Sequence, residues 1–340
     1  MGAGKSKGGG VIASRLAAAT EELVQDPARH QKLIQEQNKP DGLVISGVSL
    51  KFMKLYADEC GVQDDMTAAD VCGNFVKPMT VSAGVSAAAL LKPDAHGGET
   101  AEWVGPPTHF LSYAWSYSFR RLIGIVERFE EDLPPEQTNF YFFDQFSLNQ
   151  HKFVEDTVRG GHDSRPTDEA HGEPPASSRK DSSQTDMQLE IVAALKAQML
   201  CSGHVVMCLW PLEQPTPLRR AWCLFELWVA LSNNIKVTMV YGDEDVTALY
   251  QLVSSGTFHV NKIMGEISAQ NAGCMVPRDK ELILGYIESE MGADKFNAQM
   301  REHLLQCMKE CVTSVFCKVL CIDPSDPSVE EMLAIGFKDT

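Results

Sequence analysis

The chain has 340 residues, with 30 Lys and Arg against 46 Asp and Glu, for a formal charge of −16. At about 150 residues per domain the length suggests two domains, or one with sizeable appendages, and a 44% hydrophobic content suffices to bury a core. The acidic balance excludes a general nucleic-acid binder, which needs basic surface against phosphates, and 10 cysteines are too few for a disulfide scaffold of this size.

The first ten residues lack the apolar stretch of a signal peptide. The apolar run 197–212, free of Asp, Glu, Lys and Arg, is too short to span a bilayer. A cytoplasmic protein with reduced thiols is expected. Gly2-Ala3-Gly4-Lys5-Ser6 ends like a phosphate-binding loop, but it lacks the preceding strand and first glycine, so that reading is rejected. The same residues fit N-myristoylation at Gly2, with Ser6 at the favoured place; the alternative is an unmodified, flexible tail. One acyl chain, helped by Lys5 and Lys7, would give weak association with the inner face of a membrane.

Residues 11–37 read as helical, with apolar positions at Leu16, Leu23 and Leu33, and Asn38-Lys39-Pro40-Asp41-Gly42 ends them with a turn signal. Further helices are expected near 49–58 and after Thr67, a suitable N-cap. Nothing in these first hundred residues carries a catalytic signature. The pattern changes at Gly105-Pro106-Pro107. A short strand over 108–113 is followed by a helix over 118–131, and the aromatic run 139–144 suits a strand buried on both faces. Residues 155–186 are polar and poor in apolar side chains, as expected of a disordered insertion.

A helix over 187–200, a strand over 205–210, a helix over 220–232 and a strand over 235–241 then alternate. Such alternation implies parallel strands with helices on both faces, and ligands then bind beyond the carboxyl ends of the strands. After residue 241 the chain is expected to be helical over 243–254, from Pro277 onward, and from 294 past 311. The organisation is therefore a tail (1–10), a helical N-terminal region (11–104), an α/β domain (105–245) and a C-terminal helical region (246–340).

Two segments carry chemistry. In Arg220-Ala221-Trp222-Cys223-Leu224-Phe225-Glu226-Leu227-Trp228, an acid sits among aromatic residues on an apolar helix, where burial would raise its pKa. Helical spacing puts Trp222, Phe225, Val229 and Ala230 near one stripe and Glu226 at another angle. A core helix with one solvated or salt-bridged glutamate is the plain alternative. His303, Cys307, Cys311, Cys317 and Cys321 would share a stripe on an unbroken helix; that suits zinc, but a packed face is the expectation, with no metal site. Asp144 near His151 suits an acid–base pair or a strand-end cap.

Phe110-Leu111-Ser112-Tyr113-Ala114 resembles the first-strand box of Toll/interleukin-1 receptor (TIR) domains, and Trp222-Cys223-Leu224-Phe225-Glu226-Leu227 resembles their Trp-Cys-x-x-Glu-Leu box. Order and spacing agree over roughly residues 105–245. The resemblance implies an α/β fold with a flavodoxin-like, TIR-type parallel sheet between the helical N- and C-terminal regions. It also implies two alternative functions. In the first, the protein hydrolyses the nicotinamide–ribose bond of NAD, with NAD as substrate rather than cofactor and Glu226 as the catalytic carboxylate. Ser112, Tyr113, Trp115, Asp144 and Trp222 would then line the substrate site, and Arg219 and Arg220 would meet the pyrophosphate or serve as surface charges. In the second, the chain is a non-enzymatic oligomerisation module of intracellular signalling. Either way the resemblance implies a homo-oligomer.

Overall fold

The computed structural model describes residues 10–37, 46–92, 98, 100–151, 192, 193 and 195–337. Gly2, the turn at 38–42 and the 155–186 segment lie outside these residues.

Apolar runs bounded by polar turns produce a six-stranded sheet. Its strands are β1 (Gly47–Ser49), β2 (Val104–Gly105), β3 (His109–Ser112), β4 (Phe140–Phe142), β5 (His204–Leu209) and β6 (Lys236–Tyr241), in the order β2-β1-β4-β3-β5-β6. The four strands β4-β3-β5-β6 are parallel, with Phe110 opposite Phe142 on one side and Val205 on the other. β1 and β2 extend the sheet antiparallel beyond β4, so the chain before β3 supplies strands as well as helices. Gly47 fits β1 against β4 because a Cβ there would lie 2.8 Å from the Tyr141 carbonyl oxygen. Two strands so short carry almost no alternation, and sequence periodicity misses them.

The chain runs from β3 to β4 on one side, then crosses to β5 and β6 on the other. Right-handed crossovers then put the connecting helices on opposite faces. Leu111, Val206 and Cys208 pack with the helix Phe119–Glu130 and the N-terminal helices. Phe110, Phe142, Met207 and Leu209 pack with the helix Ala221–Ser232 and the C-terminal helices. The result is a sheet covered on both faces, and the sense of the connections reverses between β3 and β5.

Local chemistry sets several helix ends. Ser49 and Ser118 accept hydrogen bonds from the third residue beyond them, and Thr67 forms a reciprocal capping box with Asp70. The expected helix over 11–37 is instead two, Val11–Gln25 and Pro27–Gln37, because Pro27 has no N–H to continue the first and suits the first turn of the second. The helix Ala293–Leu320 runs unbroken through its β-branched residues and stops where Cys321 turns left-handed (φ 54°). Its stripe does not gather ligands: His303 and Cys321 are exposed and Cys311 is buried. Among the described residues no group of three His, Cys, Asp or Glu could hold a metal ion. All ten cysteines are free of disulfides, and no described helix is long and apolar enough to cross a membrane.

Candidate active site

Alternation along β3 decides what the site receives. Phe110 faces the Ala221–Ser232 helix, so Ser112, two residues on, faces the same way at the carboxyl end of the strand. Its side chain is fully buried and its hydroxyl donates a 2.6 Å hydrogen bond to Glu226 Oε2.

Glu226 is delivered by a helix whose two sides differ. Cys223 and Glu226, three residues apart, share a face, and Cys223 Sγ lies 3.4 Å from the Tyr113 carbonyl oxygen as a donor. The other side packs on the helix Pro277–Glu290: Phe225 and Trp228 meet Tyr286, and Trp222 Nε1 donates to Asp279 Oδ2 at 3.2 Å. The aromatic residues of the box therefore fix the helix, and the glutamate is left at the rim of the sheet, half-buried.

Asp144 completes the cluster from the turn after β4. Tyr113 hydroxyl and the Gln145 backbone N–H both donate to its Oδ1, the latter at 2.7 Å. Trp115 Nε1 donates to Oδ2 at 2.7 Å. Gln150 Nε2 holds the Asp144 backbone carbonyl at 2.8 Å. Gln145, next in the chain, is fully buried with neither atom of its side-chain amide hydrogen-bonded.

The electrostatics follow from this crowding. Burial pushes Glu226 up to about 8, only partly offset by the Ser112 hydrogen bond, and the nearby Asp144 charge adds to the rise. Burial also raises Asp144, while its hydrogen bonds from Tyr113, Trp115 and Gln145 pull the other way. Arg220, at the start of the helix, lowers both carboxyls without forming an ion pair with either. Among the described residues, two carboxyls and one guanidinium thus converge beyond the carboxyl ends of β3 and β4. Parallel sheets whose connections reverse bind their ligands at this position, beyond the carboxyl ends of the strands. Such a cluster can hold a cation or steady developing positive charge.

Of the expected site residues, Ser112, Tyr113, Trp115, Asp144 and Glu226 come together here. Trp222 turns away to the C-terminal helix, where its indole N–H is engaged by Asp279. Tyr113 and Trp115 spend their polar atoms on Asp144, and Tyr113 is buried. His151 forms no pair with Asp144; its Nε2 lies 2.9 Å from Thr80 Oγ1, because the turn after Ser147 carries it to the N-terminal helices. Arg219 reaches Glu266 at 3.5 Å, an exposed pair, whereas Arg220 serves the cluster. Sequence reasoning missed the clamp on this turn: Asn149 Nδ2 donates to the Gly84 carbonyl at 2.6 Å, and Cys72 Sγ lies 3.7 Å from Gln150 Oε1. The polar run Asn149-Gln150-His151 was its one visible signal.

No family model, no curated protein and no solved structure matches this chain.

Proposed function

We propose that the Ser112–Glu226–Asp144–Arg220 cluster is the active site of a TIR-like hydrolase that cleaves the nicotinamide–ribose bond of NAD. The observation that carries this reading is the placement of Glu226. Its carboxyl meets Ser112 at the carboxyl end of β3, beside Asp144 and Arg220, a polar group a packing role does not require. The chemistry suits one carboxylate. The C1′–N1 bond breaks with its electron pair passing to the nicotinamide ring, which leaves neutral, while positive charge develops on the ribose. Glu226 as a carboxylate steadies that charge. A water oxygen then bonds to C1′ and one of its protons is lost, so that NAD⁺ and water give ADP-ribose, nicotinamide and H⁺. Arg220 is placed for an anionic part of the nucleotide. Ser112 positions Glu226.

The non-enzymatic alternative uses the same aromatic packing with no need for the charges. Purified protein incubated with NAD at high protein concentration, with nicotinamide followed by chromatography, separates the two. Release by wild type that falls about 10²–10³-fold in Glu226→Gln supports the hydrolase, since the amide keeps the volume and loses the charge. No release by wild type, or equal release by the variant, leaves the assembly module as the function.

A further inference from the structure

The two carboxyls of the cluster are held very differently, and the difference assigns them different protonation. Asp144 receives three donors, from Tyr113, Trp115 and the Gln145 backbone. Glu226 receives one, from Ser112. A carboxylate surrounded by donors keeps its charge, and a neighbouring carboxyl with fewer donors keeps the proton.

We infer that Asp144 carries the standing negative charge of the cluster and that Glu226 holds a proton that a cationic ligand must displace. The groups around Glu226 agree. Ser112 and Tyr113 face it from β3 and its following turn, Asp144 from the β4 turn, and Arg220 and Cys223 from its own helix. On the far side of that helix, Asp279 is taken by Trp222, and Tyr286 lies against Phe225 and Trp228. Among the described residues, one guanidinium therefore serves two carboxyls. With one of them ionised the cluster is neutral, and ionising both would leave a net charge in a half-buried place. A ring cation arriving beside Glu226 supplies the missing positive charge. The Glu226 O–H bond then breaks, the oxygen keeps the electron pair, and the proton passes to solvent. Asp144 acts as a positioning residue: it fixes Tyr113 and Trp115, and its charge sets the proton on Glu226.

The consequence is selectivity for a cationic ring. A pyridinium nucleotide would bind with release of a proton, and its affinity would rise by about tenfold per pH unit below the Glu226 pKa. Its reduced form, with a neutral ring, would bind without proton exchange. The choice of these two probes rests on the hydrolase reading; the proton on Glu226 does not.

The test therefore has two arms. Infrared difference spectra of wild type at pH 7 should show a protonated carboxyl band that is missing in Glu226→Gln and that titrates near pH 8. If Asp144→Asn folds, the band should titrate at a lower pH than in wild type, because the charge that holds the proton on Glu226 is gone and Arg220 is left facing Glu226 alone. A missing band in wild type, or a band unaffected by Glu226→Gln, overturns the inference whatever the protein's activity. The second arm is calorimetry at pH 7 in two buffers of different ionisation heat. About one proton should leave on binding NAD and none on binding its reduced form. Binding of NAD without proton release overturns the inference and spares the hydrolase reading. If neither nucleotide binds, the hydrolase reading falls, and the infrared arm alone decides the proton.

Discussion

Ser112 and Glu226 lie 114 positions apart in the chain and meet through a 2.6 Å hydrogen bond at the carboxyl end of β3. The serine hydroxyl is the side-chain hydrogen bond that holds Glu226 against the rise caused by burial. Ser112→Ala should therefore raise the Glu226 pKa further above 8 and move the alkaline onset of nicotinamide release to higher pH. Stability should fall by about 1 kcal/mol, the worth of one such bond. An unchanged pH profile would show that Ser112 does not position Glu226.

Much of this was legible in the chain. The parallel strands β3 to β6 announce themselves as apolar runs, and the helix Asp243–Ser254 falls where its pattern places it. Pairing Ser112 with Glu226 needed only the two boxes and the alternation of a strand. What stayed hidden depends on contacts distant in sequence. β1 and β2 are three and two residues long and exist because a sheet edge was available. Trp222 looked like a ligand-facing residue, yet Asp279, 57 positions away, claims its indole. The Asn149 and Gln150 clamp uses a carbonyl and a thiol of the N-terminal region, which no local pattern reports.

Acid should weaken the fold through two histidines. His109 and His204 start neighbouring strands with ring centroids 4.8 Å apart, and burial together with Lys236 pushes both down to about 4. A base whose folded pKa is depressed adds stability above its unfolded pKa, about 6.5, which is lost as pH falls toward 4. His204→Gln should flatten that acid limb by on the order of 1 kcal/mol at pH 5, measured by denaturant unfolding. An acid limb as steep as that of wild type would contradict this.

The carboxyls work in the opposite sense. A raised folded pKa favours the fold below the unfolded value, about 4.3 for Glu, and the benefit disappears as pH rises through 8. Glu226→Gln should therefore remove a decline in stability between pH 6.5 and 8, where the two histidines are silent. Unfolding curves across that window would show it, and parallel curves for the two proteins would refute it.

Gln150 ties the Asp144 turn down from a buried position, through the Asp144 carbonyl and the Cys72 thiol. Gln150→Leu leaves a backbone carbonyl without this donor and should cost about 1–3 kcal/mol. An unchanged unfolding midpoint would mean the clamp contributes nothing.

The aromatic side of the helix should matter for stability in proportion to burial. Phe225 is fully buried between Trp222, Trp228 and Tyr286, so Phe225→Ala should cost about 3–5 kcal/mol. Trp222→Phe keeps most of the ring area and loses one hydrogen bond, about 1 kcal/mol. Equal losses in the two variants would show that the helix is not anchored as described.

The proposed hydrolysis requires the scissile ribose carbon to sit against Glu226. A crystal structure of Glu226→Gln soaked with NAD tests it most directly, because the variant keeps the site's shape and leaves the bond intact. The expected result is the ribose C1′ about 3–3.5 Å from a side-chain atom of residue 226, a reactive separation, with the nucleotide beyond the carboxyl end of β3 and Arg220 near its pyrophosphate. Nucleotide bound elsewhere on the protein, or lying beyond β3 with its ribose far from residue 226, would contradict the account.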